Sequence, residues 1–177
     1  MQKLSMEELN RADLETFRNQ KKTPIVLVLD SVRSLHNVGS AFRTADAFAI
    51  EKIVLCGITG TPPHREIEKT ALGATQSVEW HYHASNVEAI AALKSEGYHI
   101  ISIEQTKESI PLQKFCPQAQ EKYAIVFGNE VNGVDERVIN ESSETLEIPQ
   151  FGTKHSFNVS VTIGIVIWDF ICKMKFH

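Results

Sequence analysis

The sequence predicts an α/β fold: a mostly parallel six-stranded sheet flanked by helices. Three observations predict it. Continuous runs of β-branched residues recur along the 177 residues, the pattern of strands buried on both faces. Stretches with apolar residues at helical spacing alternate with those runs. Polar loops stand at three strand ends, where parallel sheets bind ligands. There are no internal repeats, low-complexity tracts or linkers, and the length suits one domain with a sizeable core.

Residues 5–20 alternate charge with Leu9, Leu14 and Phe17. Ser5 and Glu8 have capping-box spacing, so a helical arm is expected over residues 1–22, ahead of a domain spanning 23–177. Pro24 opens P-I-V-L-V-L-D, the first strand. A helix from about Val38 to Phe48 carries Val38, Ala41, Phe42 and Ala45 as its apolar stripe. Asn37 is a candidate N-cap for it. Gly39 and Arg43, one turn apart, share a face, and the missing side chain at Gly39 leaves room for Arg43, a backbone or a ligand. Ile53–Gly57 is the second strand. His64–Leu72 reads as a helix and Val78–His83 as the third strand. Asn86 caps an amphipathic helix that ends at Gly97. His99–Ile103 is the fourth strand, residues 107–121 a short helix or loop, and Tyr123–Phe127 the fifth strand. Asp135 caps a short helix to Asn140, and Thr145–Ile148 is the sixth strand. The stretch 159–167 has the Val and Ile content of a strand. Yet Phe157, Val161, Ile165, Trp168 and Cys172 recur at helical spacing, and the run exceeds strand length, so a long buried helix is expected. Apolar residues on nearly all its sides point to burial on the domain and on a second subunit.

Composition excludes several classes. Hydrophobic (42%) and charged (23%) contents are those of a soluble globular chain. The N-terminus is polar where a signal peptide is apolar. The run from Phe157 to Ile171 is too short and too polar to span a bilayer, so no membrane is expected. Cys56, Cys116 and Cys172 are odd in number and lack C-x-x-C spacing, which suits reduced thiols in a cytoplasmic protein. A net charge of −4 weighs against a dedicated nucleic-acid binder without excluding a local basic patch. His81 and His83 share a strand face but have no third ligand in sequence reach, so they read as edge histidines and no metal is expected. Thr153, Lys154, His155, Ser156, Asn158 and Ser160 form a polar cluster between two apolar segments, which marks a site, because buried polar groups are costly without partners.

Three segments, taken in order, carry a resemblance: N-V-G-S-A-F-R-T-A at Asn37–Ala45, V-F-G-N-E-V-N-G at Val126–Gly133, and Ile148-Pro149 followed by S-F-N-V-S-V at Ser156–Val161. Together they resemble the SpoU (TrmH-like) family of SPOUT-superfamily RNA methyltransferases, over residues 24–172. That resemblance implies an α/β knot, with a deep C-terminal trefoil. It implies S-adenosylmethionine as cofactor and methyl transfer to a ribose 2′-hydroxyl of tRNA or rRNA. It also implies a homodimer through the C-terminal helix.

By the same resemblance Arg43 is the central catalytic residue, with Asn37 holding it or the substrate. Glu130, Ser156 and Asn158 complete the site, and Glu130 would orient Arg43 or the cofactor's amino group. Ile103, Glu104, Gln105, Gly128, Asn129, Ile148, Pro149, Ser156 and Phe157 would bind the cofactor. A guanidinium stays protonated in proteins, so Arg43 suits phosphate binding and stabilisation of a developing alkoxide better than a base role. Phe157 stands where the family commonly has Leu, and Thr162 and Ile163 where it has small residues. Lys21, Lys22, Arg33, Arg65, Lys69 and Lys154 are candidate contacts to RNA phosphates. The competing expectation on the same fold is a catalytically inactive RNA-binding or assembly factor. A nucleotide-dependent oxidoreductase lacks its G-x-G-x-x-G after the first strand.

Overall fold

The structure is a computed structural model that describes residues 3–5, 8, 9 and 11–176. Ser5 and Glu8 do make a capping box, Glu8 N donating to Ser5 Oγ and Ser5 N to the Glu8 carboxylate. The expected arm helix is shorter, however. Asp13 caps α1 (Leu14–Asn19), and Met6, Glu7 and Asn10 lie outside the described residues. Arg18 ties α1 to the domain by donating to the Gln76 carbonyl (3.0 Å).

The remaining elements follow in order: β1 (Thr23–Asp30), α2 (Leu35–Ala47), β2 (Ile50–Cys56), α3 (Arg65–Ala71), α4 (Ala74–Ser77) and β3 (Glu79–His83). Then come α5 (Asn86–Ser95), β4 (Tyr98–Ile103), β5 (Ile110–Pro111), β6 (Lys122–Phe127), α6 (Glu136–Glu141), β7 (Glu144–Glu147) and α7 (Val159–Lys175). Among the described residues they form a seven-stranded sheet in the order β3-β2-β1-β6-β4-β7-β5, with every pairing parallel. The strand beyond the expected six is β5, a two-residue segment inside the stretch read as helix or loop.

The buried runs of β1 divide between the two faces. Ile25, Leu27 and Leu29 meet α2, α3 and α7; Val26 and Val28 meet α5 and α6. On the second face Asp30 is buried at the end of β1, and its carboxylate accepts from Asn86 Nδ2 (3.0 Å) and Asp135 N (3.0 Å). Beside it on β2, Cys56 is pushed up to about 12 by burial and by the Asp30 charge, so its thiol stays protonated and unreactive. His81 lies on the edge strand β3 and pairs with Glu79 (2.9 Å).

Two caps differ from expectation by a few residues. Ser34, not Asn37, caps α2, so the helix starts three residues earlier, and Ser85, not Asn86, caps α5. In both cases the shorter hydroxyl reaches the third amide of the first turn. The stretch 159–167 is helical, within α7, because its four-residue repeat overrides β propensity. One side of α7 buries Ile163, Val166, Ile167 and Phe170 at roughly 1.5–3 kcal/mol each. The stripe Phe157, Val161, Ile165 and Trp168 is left exposed. No helix of the described residues is long and apolar enough to cross a membrane.

Candidate functional site

A cleft of about 570 Å³ opens at the carboxyl ends of three adjacent strands, β6, β4 and β7. Its floor is Ile103, Phe127 and Leu146, the last or near-last residues of those strands. Three loops wall it: 103–105 after β4, 127–133 after β6, and 146–158 between β7 and α7. Apolar contact comes from Ile103, Leu146, Ile148, Phe157 and Val159. Gln105, Asn129, Asn132, Gln150, Ser156, Asn158 and Thr162 supply polar groups. An apolar floor at the strand ends with many polar groups converging on it, at this volume, suits a small polar molecule.

The loop after β6 is rigid for reasons visible in its residues. Asn129 and Gly133 exchange two backbone hydrogen bonds (3.0 and 3.1 Å), while Asn129 Oδ1 accepts from the Val131 and Asn132 amides. A Cβ on Gly128 would sit 1.9 Å from the Gly133 carbonyl carbon, so only glycine lets the strand end pass under the loop. Glu104 braces the same loop from β4, its carboxylate accepting from Val134 N (3.0 Å) and Gln105 N (2.9 Å).

Glu130 connects this loop to the next strand end. Its carboxylate accepts from Asn37 Nδ2 (2.9 Å), Arg33 N (3.1 Å) and Ser34 N (3.3 Å), all at the start of α2. Partial burial opposes its ionisation. The hydrogen bonds from its own amide, Arg33, Asn37 and Ser34 outweigh that, so the carboxyl is held below its usual range. Asn37 thus bonds to Glu130, and Glu130 to the start of α2; neither bonds to Arg43 among the described residues.

The structure brings most of the sequence-predicted residues together. Ile103, Glu104, Gln105, Gly128, Asn129, Glu130, Ile148, Ser156, Phe157 and Asn158 all line the cleft. Asn158 doubles as the N-cap of α7, accepting from Ser160 N (2.9 Å). Pro149 instead lines a shallow apolar groove against α7, with Ile165 and Trp168. Arg43 is exposed on α2 and makes no hydrogen bond or ion pair among the described residues. Six residues separate it from Asn37, about 9 Å along the helix and about 120° around it, so it faces away from the Asn37–Glu130 link.

Gly39 has a packing reason. A Cβ there would lie 2.1 Å from Thr70 Oγ1 and 2.2 Å from the Ile67 carbonyl oxygen. The close approach is to the backbone of α3, not to a ligand or to Arg43. Two candidate cations are already engaged: Lys22 lies over the Phe17 ring (3.3 Å), and Lys69 pairs with Glu66 (2.8 Å), which also pairs with His36. Lys21, Arg33, Arg65 and Lys154 are exposed.

Sequence reasoning missed the sign of the cleft. Glu104, Glu130 and Glu147 line it, and no Lys, Arg or His does. Glu147 closes β7 at the end of the sheet where ligands bind, which was the available signal. The cleft is thus built for a cationic or neutral ligand and against one rich in phosphate.

Comparison with known proteins agrees with the fold. The model of the SpoU rRNA methylase family matches residues 24–168. A 23S rRNA (guanosine-2′-O-)-methyltransferase, RlmB, of Neisseria meningitidis serogroup B is 30% identical over 159 residues, 89% of this chain and 62% of that protein. A tRNA (guanosine(18)-2′-O)-methyltransferase of Borreliella burgdorferi is 25% identical over 93% of this chain and 74% of its own length. This chain therefore spans roughly two thirds of the relatives it matches. The crystal structure of an A. aeolicus TrmH/SpoU tRNA modifying enzyme superposes with a TM-score of 0.78 at 23% identity, over 88% of this chain and 78% of that one. An AdoMet-bound rRNA methyltransferase from Sinorhizobium meliloti gives 0.78 at 23%, over 88% and 59%. With a family match covering most of its length and the parallel sheet its relatives share, the chain belongs to the SpoU rRNA methylase family.

Proposed function

We propose that this protein is an S-adenosylmethionine-dependent RNA methyltransferase that modifies a ribose 2′-hydroxyl of tRNA or rRNA, working in the cytoplasm as a homodimer. The observation that carries the reading is the anionic cleft without cations at the ends of β6, β4 and β7. It suits a ligand bearing sulfonium and ammonium charges, and it disfavours a pyrophosphate dinucleotide. When bound, S-adenosylmethionine supplies a methyl group already activated on sulfur. Ile103, Ile148 and Phe157 would pack on the faces of its adenine ring, with Gln105, Asn129 and Ser156 as hydrogen-bonding partners.

RNA is repelled by such a cleft, so its phosphates must be met outside it. Arg33, Arg65, Lys21 and Lys154 are exposed and are the candidates for that role, Lys21 standing before β1 at the other end of the sheet from the cleft; Lys22 and Lys69 must first leave their present partners. Arg43 binds the phosphate next to the target ribose and stabilises the alkoxide as it forms. Its position outside its own cleft is the one feature favouring the second reading, RNA binding without chemistry. A dimer removes the difficulty, because a second copy can present its own Arg43 to the cleft. The exposed apolar stripe of α7, with Trp168 53% exposed, supports that dimer. The C-terminal trefoil knot belongs to the same reading.

The test is transfer of labelled methyl from S-adenosylmethionine to undermethylated total tRNA and rRNA, followed by digestion to nucleosides. Label on 2′-O-methylated nucleosides supports the enzyme. RNA binding with no transferred label supports the inactive factor.

A further inference from the structure

The loop between β7 and α7 is pinned at one point. Gln105 Nε2 (3.1 Å) and Gln150 Nε2 (3.4 Å) both donate to the His155 carbonyl. Both glutamines line the cleft, so the anchored part of the loop lies against it, and residues 151–154 form a tip beyond the anchor. Phe151 is in that tip and is 99% exposed, touching almost nothing. A Cβ added to Gly152 beside it would meet no atom within 4 Å, so the space around the tip is open. A full-sized aromatic ring held in water is unfavourable unless something covers it.

We propose that Phe151 is a stacking platform for an unpaired base of the RNA substrate, set at the mouth of the cleft, with Lys154 meeting that strand's phosphate. Charge selects this occupant. Between Gln150 and Ser156 the chain carries Lys154 and His155 and no carboxylate, whereas the cleft below is anionic. An anionic strand is therefore drawn to the tip and kept out of the cleft. A second copy of the chain has a broader apolar face to cover on α7, at Val161, Ile165 and Trp168. Aromatic rings at such a position stack on any base, because every base has a π-face. Stacking here would favour targets in loops, where bases are unpaired, over duplex RNA. The proposal rests on the reading of the protein as an RNA methyltransferase.

The experiment uses the full-length protein and three variants: Phe151→Ala, Phe151→Tyr and Phe151→Trp. Undermethylated total tRNA and rRNA serve as substrates, and a mixed-sequence single-stranded 12-nucleotide RNA as the binding probe, with its duplex as control. Phe151→Ala is expected to raise KM for RNA about tenfold, the scale of one lost base–aromatic stack, and Phe151→Tyr to restore it. Affinity for S-adenosylmethionine and the light-scattering mass stay unchanged. The emission that Phe151→Trp adds should be quenched by the single strand and not by the duplex.

Unchanged RNA KM in Phe151→Ala overturns the proposal. So does a loss of cofactor affinity, which would make the loop tip a lid, and so does a change in mass, which would make it a dimer contact. If no form of the protein transfers methyl, the quenching decides alone: quenching by the single strand upholds the platform while the enzymatic reading fails, and its absence overturns the platform.

Discussion

Replacing Gly39 by Ala sets two effects of opposite sign against each other. In a helix interior Ala is better than Gly by about 1 kcal/mol, so α2 considered alone predicts a stabilised variant. The structure predicts the reverse. The new methyl would sit 2.1 Å from Thr70 Oγ1 and 2.2 Å from the Ile67 carbonyl oxygen. Ordinary contact needs more than 3 Å, so α3 must move by about an ångström. Moving it also strains the bond that Thr70 Oγ1 donates to the His36 carbonyl (3.0 Å). Overpacking of this kind costs about 1–3 kcal/mol, and a backbone oxygen yields less readily than a side-chain tip, which places the cost at the upper end. The net expectation is a loss of about 1–2 kcal/mol. In urea this lowers the unfolding midpoint by roughly 0.5–1 M at unchanged slope. Adding Thr70→Ala should recover only part of the loss, because the Ile67 carbonyl remains. A midpoint that rises or stays put refutes the packing account of Gly39. Unchanged stability with lost ligand binding would return it to the site.

Arg43→Ala should reduce methyl transfer by at least the 10²–10³-fold typical of a lost transition-state donor, with S-adenosylmethionine binding nearly unchanged; an active variant refutes its central role. Trp168→Asp should leave helical content intact and give a monomer by light scattering at micromolar concentration. A dimer that survives it is held elsewhere. The Asp135 carboxyl is held well below its usual range, first by the hydrogen bond from Arg137 and despite burial, and Glu130 lies below its range as well. Depressed folded-state values mean that both stabilise the fold above their unfolded values, near 3.8 and 4.5, and that this is lost as pH falls through the folded ones. Melting temperature should therefore drop as pH falls below about 4.5, and Asp135→Asn should flatten that drop; an equally steep curve in the variant contradicts the assignment.

Much of the fold was legible because its determinants are local. The β-branched runs marked β1, β2, β4 and β6, and the four-residue repeat of α7 identified a helix against its β propensity. Strand β5 escaped because two residues, one of them Pro111, leave no periodicity, and pairing with β7 alone creates it. The caps of α2 and α5 were misplaced because each start offers two or more polar side chains, and only backbone geometry chooses between them. The cleft residues were read through a resemblance and most converge in space, but their partners are long-range. Nothing near Gly39 in sequence announces the backbone of α3, and nothing near Asn37 announces Glu130, 93 residues away. The engagement of Lys69 had a local signal, since Glu66 stands three residues before it. That of Lys22 by Phe17 depends on where the arm folds back.

The central claim is that the acidic cleft at the ends of β6, β4 and β7 is a cofactor site. The most direct test is calorimetric titration of the purified protein with S-adenosylmethionine, with S-adenosylhomocysteine and NAD alongside, repeated on Gly128→Ala, whose methyl would strike the Gly133 carbonyl that shapes the cleft. Saturable binding of both adenosyl compounds at micromolar affinity, none of NAD, and loss of binding in the variant are the predicted results. Absence of S-adenosylmethionine binding, with or without bulk tRNA and rRNA present, or equal binding of NAD, would contradict the claim.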